Sequence, residues 1–205
     1  MRLLTFTLNH SEPLIGIRTN EKILNLKEAA KIAGEVGMPS NMKALLAAGP
    51  EGMARVRNLN SKALSDATTF QSAWLDKASI TYLPPIVDAD KFLCVGKNYR
   101  KHLEELQQTN LIKEIPQEPT GFIKLNSCLV GHLAEVKKPD GIVRLDYEPE
   151  LVFVMGKRAL GVKKADAFNY IAGVTILNDL TCRDLQLKEV ASGSRFWTAK
   201  NIPGF

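Results

Sequence analysis

The first 70 residues of the chain contain short apolar runs that predict three strands followed by three helices. Residues 3–8, 14–19 and 23–26 have the composition of strands. After residue 26, apolar residues recur three and four positions apart, which places them on one face of a helix. The predicted helical faces are Leu26, Ala29, Ala30 and Ala33, then Met42, Leu45 and Leu46, then Met53, Val56 and Leu59. No converging polar cluster accompanies them in the sequence, so we assign this part no chemistry.

A change of pattern near residue 80 divides the chain into two predicted parts. The strand-like residues 80–83 are followed by Pro84 and Pro85, which cannot lie inside a central strand. Regular helices between the later strands are missing, which disfavours a doubly wound parallel sheet. We therefore predict an α+β fold, mainly β, with a small N-terminal domain over 1–75 and a larger domain over 76–205. In the larger domain, strands are predicted over 91–95, 121–125, 151–155 and 172–177, helices over 98–107 and 165–171, and a loop over 109–119.

Composition and charge narrow the class of protein. With 45% hydrophobic and 24% charged residues, the 205-residue chain has the composition of an ordinary globular protein. The sequence has no apolar run near the ~20 residues that cross a bilayer, and its net charge of +5 is spread along the chain and not clustered as nucleic-acid binding requires. Three scattered cysteines are typical of reduced thiols. We expect a cytoplasmic protein that binds a small anionic metabolite and neither nucleic acid nor a membrane.

Three acidic residues suggest a metal site. Glu148 and Glu150 lie two positions apart at the start of an apolar strand, so both side chains point to one face about 6–7 Å apart. Two such carboxylates repel each other unless a positive charge lies between them, and all-oxygen ligands favour Mg²⁺, Mn²⁺ or Ca²⁺. Asp179, just after the strand over 172–177, is available as a third ligand. The alternative is that these are solvated acids at strand ends.

A histidine and a glutamate suggest an acid–base pair. His102 and Glu105 are three residues apart in a predicted helix and therefore share a face. A carboxylate beside an imidazole orients it and supports its protonated form, which gives a base that can take a proton from water. The alternative is an exposed histidine with an incidental acidic neighbour.

Five motifs that follow one another along the chain resemble those of the fumarylacetoacetate hydrolase family. The resemblance extends from about residue 90 to residue 205, and the N-terminal part resembles the small domain that many members carry. The motifs are Phe92-Leu93-Cys94-Val95-Gly96-Lys97-Asn98-Tyr99 with His102 and Glu105; Phe122-Ile123-Lys124 with Gly131; Asp146-Tyr147-Glu148-Pro149-Glu150-Leu151; Ala172-Gly173-Val174-Thr175 with Asn178-Asp179 and Arg183-Asp184-Leu185-Gln186; and Phe196-Trp197 with Lys200. Leu125-Asn126 stands where a proline is common in relatives.

The resemblance implies a mixed β-roll around a metal site, in a homodimer. It assigns Mg²⁺ or Mn²⁺ to Glu148, Glu150 and Asp179, and water activation to His102 and Glu105 on a lid segment. Lys200 would stabilise negative charge on a substrate oxygen, and Lys124 would help line the substrate pocket. The family's catalytic domain normally continues further, so we expect 76–205 to be incomplete at its C-terminal end.

The chemistry expected of such a site is enolate stabilisation, because a metal chelated by a keto acid polarises the carbonyl. The main hypothesis is a metal-dependent hydrolase that cleaves a C–C bond in a small 1,3-diketo acid of the acylpyruvate type. One alternative is a decarboxylase or isomerase of a 2-oxo acid, of the oxaloacetate or hydroxymuconate type. The other is a relative that keeps the fold without turnover.

Overall fold

The computed structural model of the protein describes residues 1–108, 117–194 and 196–205, and for His102, Glu105 and Leu106 it describes the backbone only. All strand pairs among these residues are antiparallel, which agrees with the predicted α+β class. None of the described helices is long and apolar enough to cross a membrane. In chain order the elements are β1 (Leu3–Thr7), β2 (Leu14–Arg18), β3 (Lys22–Asn25), α1 (Leu26–Ile32), α2 (Met42–Ala47), α3 (Gly49–Ser65), β4 (Trp74–Asp76), β5 (Thr81–Leu83), β6 (Leu93–Gly96), α4 (Arg100–Gln108), β7 (Thr120–Ile123), β8 (Leu145–Asp146), β9 (Pro149–Met155), β10 (Ile171–Asn178), β11 (Thr181–Cys182) and α5 (Arg183–Ala191).

The N-terminal residues form a five-stranded sheet in the order β4-β3-β2-β1-β5. The predicted strands and helices of this part are confirmed, with ends that differ by one or two residues except in α3, which begins four residues before Met53 and ends six residues after Leu59. Side chains alternate between the two faces of each strand. One face therefore packs with the apolar sides of α1, α2 and α3, and the other carries a smaller apolar cluster. The first cluster includes Ile15, Ile17, Leu24, Leu45, Val56 and Leu59, and the second is built on Leu4, Phe6 and Ile23.

Asn25 explains why β3 stops where α1 begins. Its side-chain oxygen accepts hydrogen bonds from the backbone N–H groups of Lys27 and Glu28, at 3.1 and 3.4 Å. An asparagine in this position caps the first turn of a helix, whose N–H groups otherwise lack partners. The predicted strand over 23–26 therefore ends at Asn25, and Leu26 is the first residue of the helix.

The described chain divides into two compact units. Unit 1 comprises Met1–Asp88, Val130–Glu135 and Glu148–Asn178, and unit 2 comprises Ala89–Leu129, Val136–Tyr147 and Asp179–Phe205. The N-terminal sheet extends past residue 75, because β5 pairs with β1 through Thr5 and Leu83. The division of the chain into domains over 1–75 and 76–205 stays a prediction.

Unit 1 also contains the β9–β10 hairpin, which has two different faces. Five large apolar side chains on one face are about half exposed or more, and the register of the two strands places them side by side: Leu151, Phe153, Met155, Val174 and Ile176. Glu150 lies on the opposite face with its partner Leu177. The strand predictions over 151–155 and 172–177 are confirmed, and the predicted helical turn over 165–171 is a 3₁₀ helix at Lys164–Tyr170.

Unit 2 contains the β6–β7 pair, the β8–β11 pair and the helices α4 and α5. The predicted strands over 91–95 and 121–125 correspond to β6 and β7, and the predicted helix over 98–107 corresponds to α4. Of the predicted loop over 109–119, residues 109–116 lie outside the described chain. The β6–β7 and β8–β11 pairs fix the backbone next to the side chains of the candidate site.

Gly131 packs directly against the backbone of β5. A Cβ atom at this position would overlap the carbonyl oxygen of Tyr82 and approach the Cα atom of Leu83. The ring of the next residue, His132, meets the Tyr82 ring edge to face at a centroid distance of 5.3 Å. This close approach gives a physical reason for a glycine in the motif that contains Phe122-Ile123-Lys124.

We predict that Gly131→Ala destabilises unit 1, because the added methyl group would force the segment Val130–Glu135 away from β5. The expected cost is about 1–3 kcal/mol in the free energy of unfolding, which is typical of overpacking. Urea denaturation followed by circular dichroism measures it. Gly173→Ala in β10 is the matched control, because a Cβ there meets no atom within 4 Å. Equal stability of the two variants would contradict the prediction.

Candidate active site

Asp179 lies between two buried lysines in unit 2. Its Oδ1 atom accepts a hydrogen bond from Lys124 Nζ at 2.7 Å, and its Oδ2 atom accepts one from Lys200 Nζ at 2.5 Å. The side chains of Lys124, Asp179 and Lys200 are 0%, 4% and 6% exposed. Charged groups are rarely buried unless they are paired. The three residues therefore form one ionic cluster, called the Lys–Asp–Lys cluster below.

Lys124 reaches the cluster from the end of β7. Its backbone N–H donates to the carbonyl oxygen of Phe92 at 3.1 Å, which continues the β6–β7 pairing by one residue. Phe122 is two residues earlier, so its ring lies on the same side of the strand. The Nζ atom of Lys200 lies 5.1 Å from the centre of that ring, and Phe196 meets the ring edge to face at 5.5 Å. An aromatic ring at this distance attracts an ammonium group.

Hydrogen bonds hold the residue before Lys200 and the residue after it. The carbonyl oxygen of Ala199 accepts from the Cys182 N–H at 3.0 Å. The side chain of Asn201 accepts from the Leu125 N–H at 2.7 Å and donates to the Ile123 carbonyl at 3.1 Å. These bonds tie the segment around Lys200 to β11 and to the end of β7, so the amine of Lys200 starts from a fixed backbone.

Asp179 is held from the other direction by β11 and α5. Thr181 Oγ1 donates to the Asp179 carbonyl at 2.9 Å. At the start of α5, the carboxylate of Asp184 accepts from the N–H groups of Arg144 and Val143, at 2.8 and 2.9 Å. The Arg144 N–H is the largest cause that lowers the pKa of Asp184, and the Val143 N–H adds to it. The segment just after Asp179 is thereby attached to the residues before β8.

The two predicted glutamate ligands lie in unit 1, at the start of β9. Glu148 and Glu150 are half-buried, while Pro149 between them is exposed, as expected if both carboxylates lie on one face. The Glu148 N–H donates to Asn178 Oδ1 at 3.0 Å. Asn178 is the last residue of β10 and directly precedes Asp179 in the chain. The side chain next to Asp179 in sequence thus fixes the backbone of Glu148.

The three predicted metal ligands are divided between the two units, two in unit 1 and one in unit 2. Within either unit, the described residues include no group of three or more His, Cys, Asp or Glu side chains that could hold a metal ion. The donor chemistry fits Mg²⁺, Mn²⁺ or Ca²⁺, because all three side chains offer carboxylate oxygens. A carboxylate has about four lone-pair sites, so Asp179 can keep its lysine contacts and still face a cation. The shared ion stays a prediction.

The predicted acid–base pair lies on α4, which confirms the helix expected for it. The side chains of His102 and Glu105 lie outside the described residues. Their predicted role in activating water, and the predicted role of Lys124 in lining a substrate pocket, stay predictions.

Sequence reasoning missed two residues of this region. Asn201 was not singled out, although it follows Lys200 directly, and Phe122 was noted only as part of a motif. The spacing of Phe122 and Lys124 could have placed them on the same face of a strand. Cys128 also lies here: its Sγ atom donates to the Leu125 carbonyl at 2.9 Å, and burial raises the pKa of its thiol.

Comparison with known proteins finds a matching family model and several similar proteins. Residues 91–205 match the family model described as "Fumarylacetoacetate (FAA) hydrolase C-terminal". The chain is 34% identical over 186 residues to oxaloacetate tautomerase YisK of Bacillus subtilis, covering 89% of this chain and 60% of that protein. It is 30% identical over 208 residues to the mitochondrial oxaloacetate tautomerase FAHD2A of Homo sapiens, covering 100% of this chain and 60% of that protein.

A solved structure gives the same fold. The fumarylacetoacetate hydrolase of Exiguobacterium antarcticum matches 99% of this chain and 62% of its own length, with a TM-score of 0.65 and 21% identity. At that identity the likeness establishes the fold alone, and it confirms the predicted fumarylacetoacetate hydrolase type. The chain spans about 60% of the length of the curated relatives it matches.

We predict that Asp179→Asn, studied in EDTA, lowers the free energy of unfolding by about 3–5 kcal/mol, because two buried ammonium groups lose their counter-ion. Chemical denaturation at pH 7 measures the change. Asp140→Asn is the control, since Asp140 is an exposed acid of the same unit. A loss for Asp179→Asn no larger than that of Asp140→Asn would contradict the ionic cluster.

We predict that Asp184 contributes stability that depends on pH. Its pKa is lowered in the folded protein from the ordinary value of 3.8, so the contribution is fully present above that value. It is lost as the pH falls through the lowered folded pKa. The stability difference between the wild type and Asp184→Asn, measured by urea denaturation from pH 7 to pH 3, should therefore shrink only at the acidic end. A constant difference over the whole range would show that the charge of Asp184 is not responsible.

Proposed function

Because the chain belongs to the fumarylacetoacetate hydrolase family, we propose that it forms the metal-binding part of an enzyme that interconverts the keto and enol forms of a 2-oxo acid of the oxaloacetate type. Two curated relatives that are 30% and 34% identical are named oxaloacetate tautomerases, which supports this choice. These names favour the isomerase alternative over the hydrolase that the sequence made the main hypothesis. Hydrolysis of a 1,3-diketo acid has weaker support, since the hydrolase named above shares the fold at 21% identity.

The observation that carries the proposal is the Lys–Asp–Lys cluster. Interconversion of keto and enol forms passes through an enolate, whose oxygen needs a positive charge or a hydrogen-bond donor beside it. The side chain of Lys200 is only 6% exposed, and its amine is held by Asp179 Oδ2 at 2.5 Å and by the ring of Phe122. A pre-positioned charge in a water-poor environment stabilises a developing oxyanion far more than a solvated one does. Lys200 is therefore the proposed donor to the enolate oxygen.

Glu148, Glu150 and Asp179 are the residues that would hold a divalent ion. When bound, such an ion supplies positive charge that polarises the 2-oxo group of the substrate. The chain's own contribution would be to orient these carboxylates, and the Asn178 bond to the Glu148 backbone fixes the start of β9. Lys124 donates to Oδ1 of Asp179, and Lys200 donates to Oδ2 of the same carboxylate.

His102 and Glu105 have a different task in this proposal from the one predicted for a hydrolase. Keto–enol interconversion moves a proton between carbon and oxygen and consumes no water. The pair would then take and return a substrate proton, which is ordinary general acid–base catalysis. Assembly into a homodimer and a cytoplasmic location stay predictions; the exposed apolar face of the β9–β10 hairpin supports the first, because patches of this kind usually mark contact surfaces.

We predict that the purified chain with Mg²⁺ or Mn²⁺ accelerates the decay of the ultraviolet absorbance of enol-oxaloacetate. Lys200→Met should lower the rate about 10²–10³-fold, which is the usual effect of removing one oxyanion donor. Glu148→Gln should abolish Mg²⁺ binding measured by calorimetry, and Glu12→Gln, which changes an exposed acid in the connection between β1 and β2, should leave it intact.

A parallel assay separates the alternatives. If the chain cleaves an acylpyruvate and leaves the enol decay unchanged, the hydrolase hypothesis replaces this proposal. His102→Ala should then abolish the cleavage, whereas it should only slow a tautomerase that retains Lys200. Binding of Mg²⁺ without turnover of either substrate would favour a relative that keeps the fold alone.

A further inference from the structure

Lys124 is the most deeply buried charged side chain of the described cluster, and both of its contacts go to residues of the proposed site. Its side chain is 0% exposed. Its Nζ atom donates to Asp179 Oδ1 at 2.7 Å and to the backbone carbonyl of Lys200 at 2.6 Å. One ammonium group thus contacts the carboxylate that pairs with Lys200 and the backbone that carries Lys200.

These contacts form a closed ring. Lys200 Nζ donates to Asp179 Oδ2, Asp179 Oδ1 accepts from Lys124 Nζ, and Lys124 Nζ donates to the Lys200 carbonyl. Both ends of the Lys200 residue, its amine and its carbonyl, are therefore fixed relative to one carboxylate. A flexible side chain of this kind has many rotamers in water, and the ring leaves it few.

Other bonds already hold the backbone beside Lys200. Ala199 is bound by Cys182, and Asn201 is bound by Leu125 and Ile123. The segment does not depend on Lys124 alone for its path. What Lys124 adds is the direction of the Asp179 carboxylate and the orientation of the Lys200 peptide group.

We propose that Lys124 is a positioning residue that fixes the amine of Lys200 through Asp179 and through the Lys200 carbonyl. The proposal deepens the function proposed above and rests on the role given there to Lys200. It assigns Lys124 no contact with the substrate. It also requires that the amine of Lys200 becomes more accessible to chemical modification when the ammonium of Lys124 is removed, even where the fold is kept.

The test measures the reactivity of single amines in the native chain. The protein is treated briefly with an acetylating reagent, and acetylation of Lys200 is quantified by mass spectrometry against Lys62, which is paired with Glu35 in the N-terminal part. Lys124→Met removes the bonds that hold the Asp179 carboxylate and the Lys200 carbonyl, so the amine of Lys200 should move more freely and its acetylation rate should rise about tenfold, while Lys62 stays unchanged. Lys124→Arg, which keeps a charged donor, should restore part of the protection.

Asn201→Ala is the matched control. It removes the side-chain hydrogen bonds of Asn201 to Leu125, Ile123 and Cys128 without touching the Lys–Asp–Lys cluster, so acetylation of Lys200 should rise clearly less than in Lys124→Met. Equal increases in Asn201→Ala and Lys124→Met would mean that general loosening of the segment is responsible, and this would overturn the proposal. An unchanged rate in folded Lys124→Met would overturn it as well.

The wild-type chain provides a second measurement in case the Lys124 variants do not fold. In urea below the concentration at which the whole chain unfolds, Lys124 and Lys200 should become reactive in step, because each depends on the other through Asp179. Exposure of Lys200 at a lower concentration than Lys124 would refute the ring.

Enzyme kinetics then separate this inference from the proposed function. If the wild type is active, Lys124→Met should lower kcat about 10–100-fold, the range typical of residues that support a catalytic group, with a much smaller change in KM. A drop in kcat/KM caused by KM alone would contradict the positioning role. If the wild type shows no activity, the proposed function fails while the acetylation results still decide whether Lys124 positions Lys200.

Discussion

A buried carboxylate shared by two ammonium groups is the interaction on which the rest of unit 2 depends. Ions taken out of water lose several kcal/mol of hydration each, and only close pairing returns it. Asp179 makes that pairing with both oxygens, so the end of β7, the start of β11 and the segment around Lys200 must meet at one point. The surrounding hydrogen bonds of Asn201, Thr181 and Asp184 hold these segments in that arrangement.

The same pairing shapes what the site can bind. Two ammonium groups beside Asp179 repel a divalent cation and attract anions, so Asp179 alone would be a poor ligand for a metal. In the proposed metal site, Glu148 and Glu150 would supply the excess negative charge. The positive side of the cluster suits an enolate or a carboxylate.

Regular periodicity made most of the fold predictable. The helices α1 and α2 and the strands β9 and β10 carry clear apolar patterns, and they were located within one or two residues; α3 was found, but it extends well beyond the predicted positions at both ends. Helix α5 was missed because its apolar residues do not gather on one face: Leu187 and Val190 are more than half exposed. It is held at its start by Asp184 and Arg183. Strand β4 has three residues, too few to show an alternating pattern.

The site was predictable only as a set of residue types. Glu148, Glu150 and Asp179 were proposed from their positions, and Lys124 and Lys200 from the family resemblance, but the pairing of Lys124 with Asp179 joins residues 55 positions apart, and a sequence pattern contains no such distance. Burial has one more consequence, at Cys128. Cys128 is 1% exposed and burial raises the pKa of its thiol, so little of the reactive thiolate forms. Peroxide should therefore react slowly with this sulfur in the folded protein, and oxidation of Cys128 would indicate that the surrounding structure had unfolded locally.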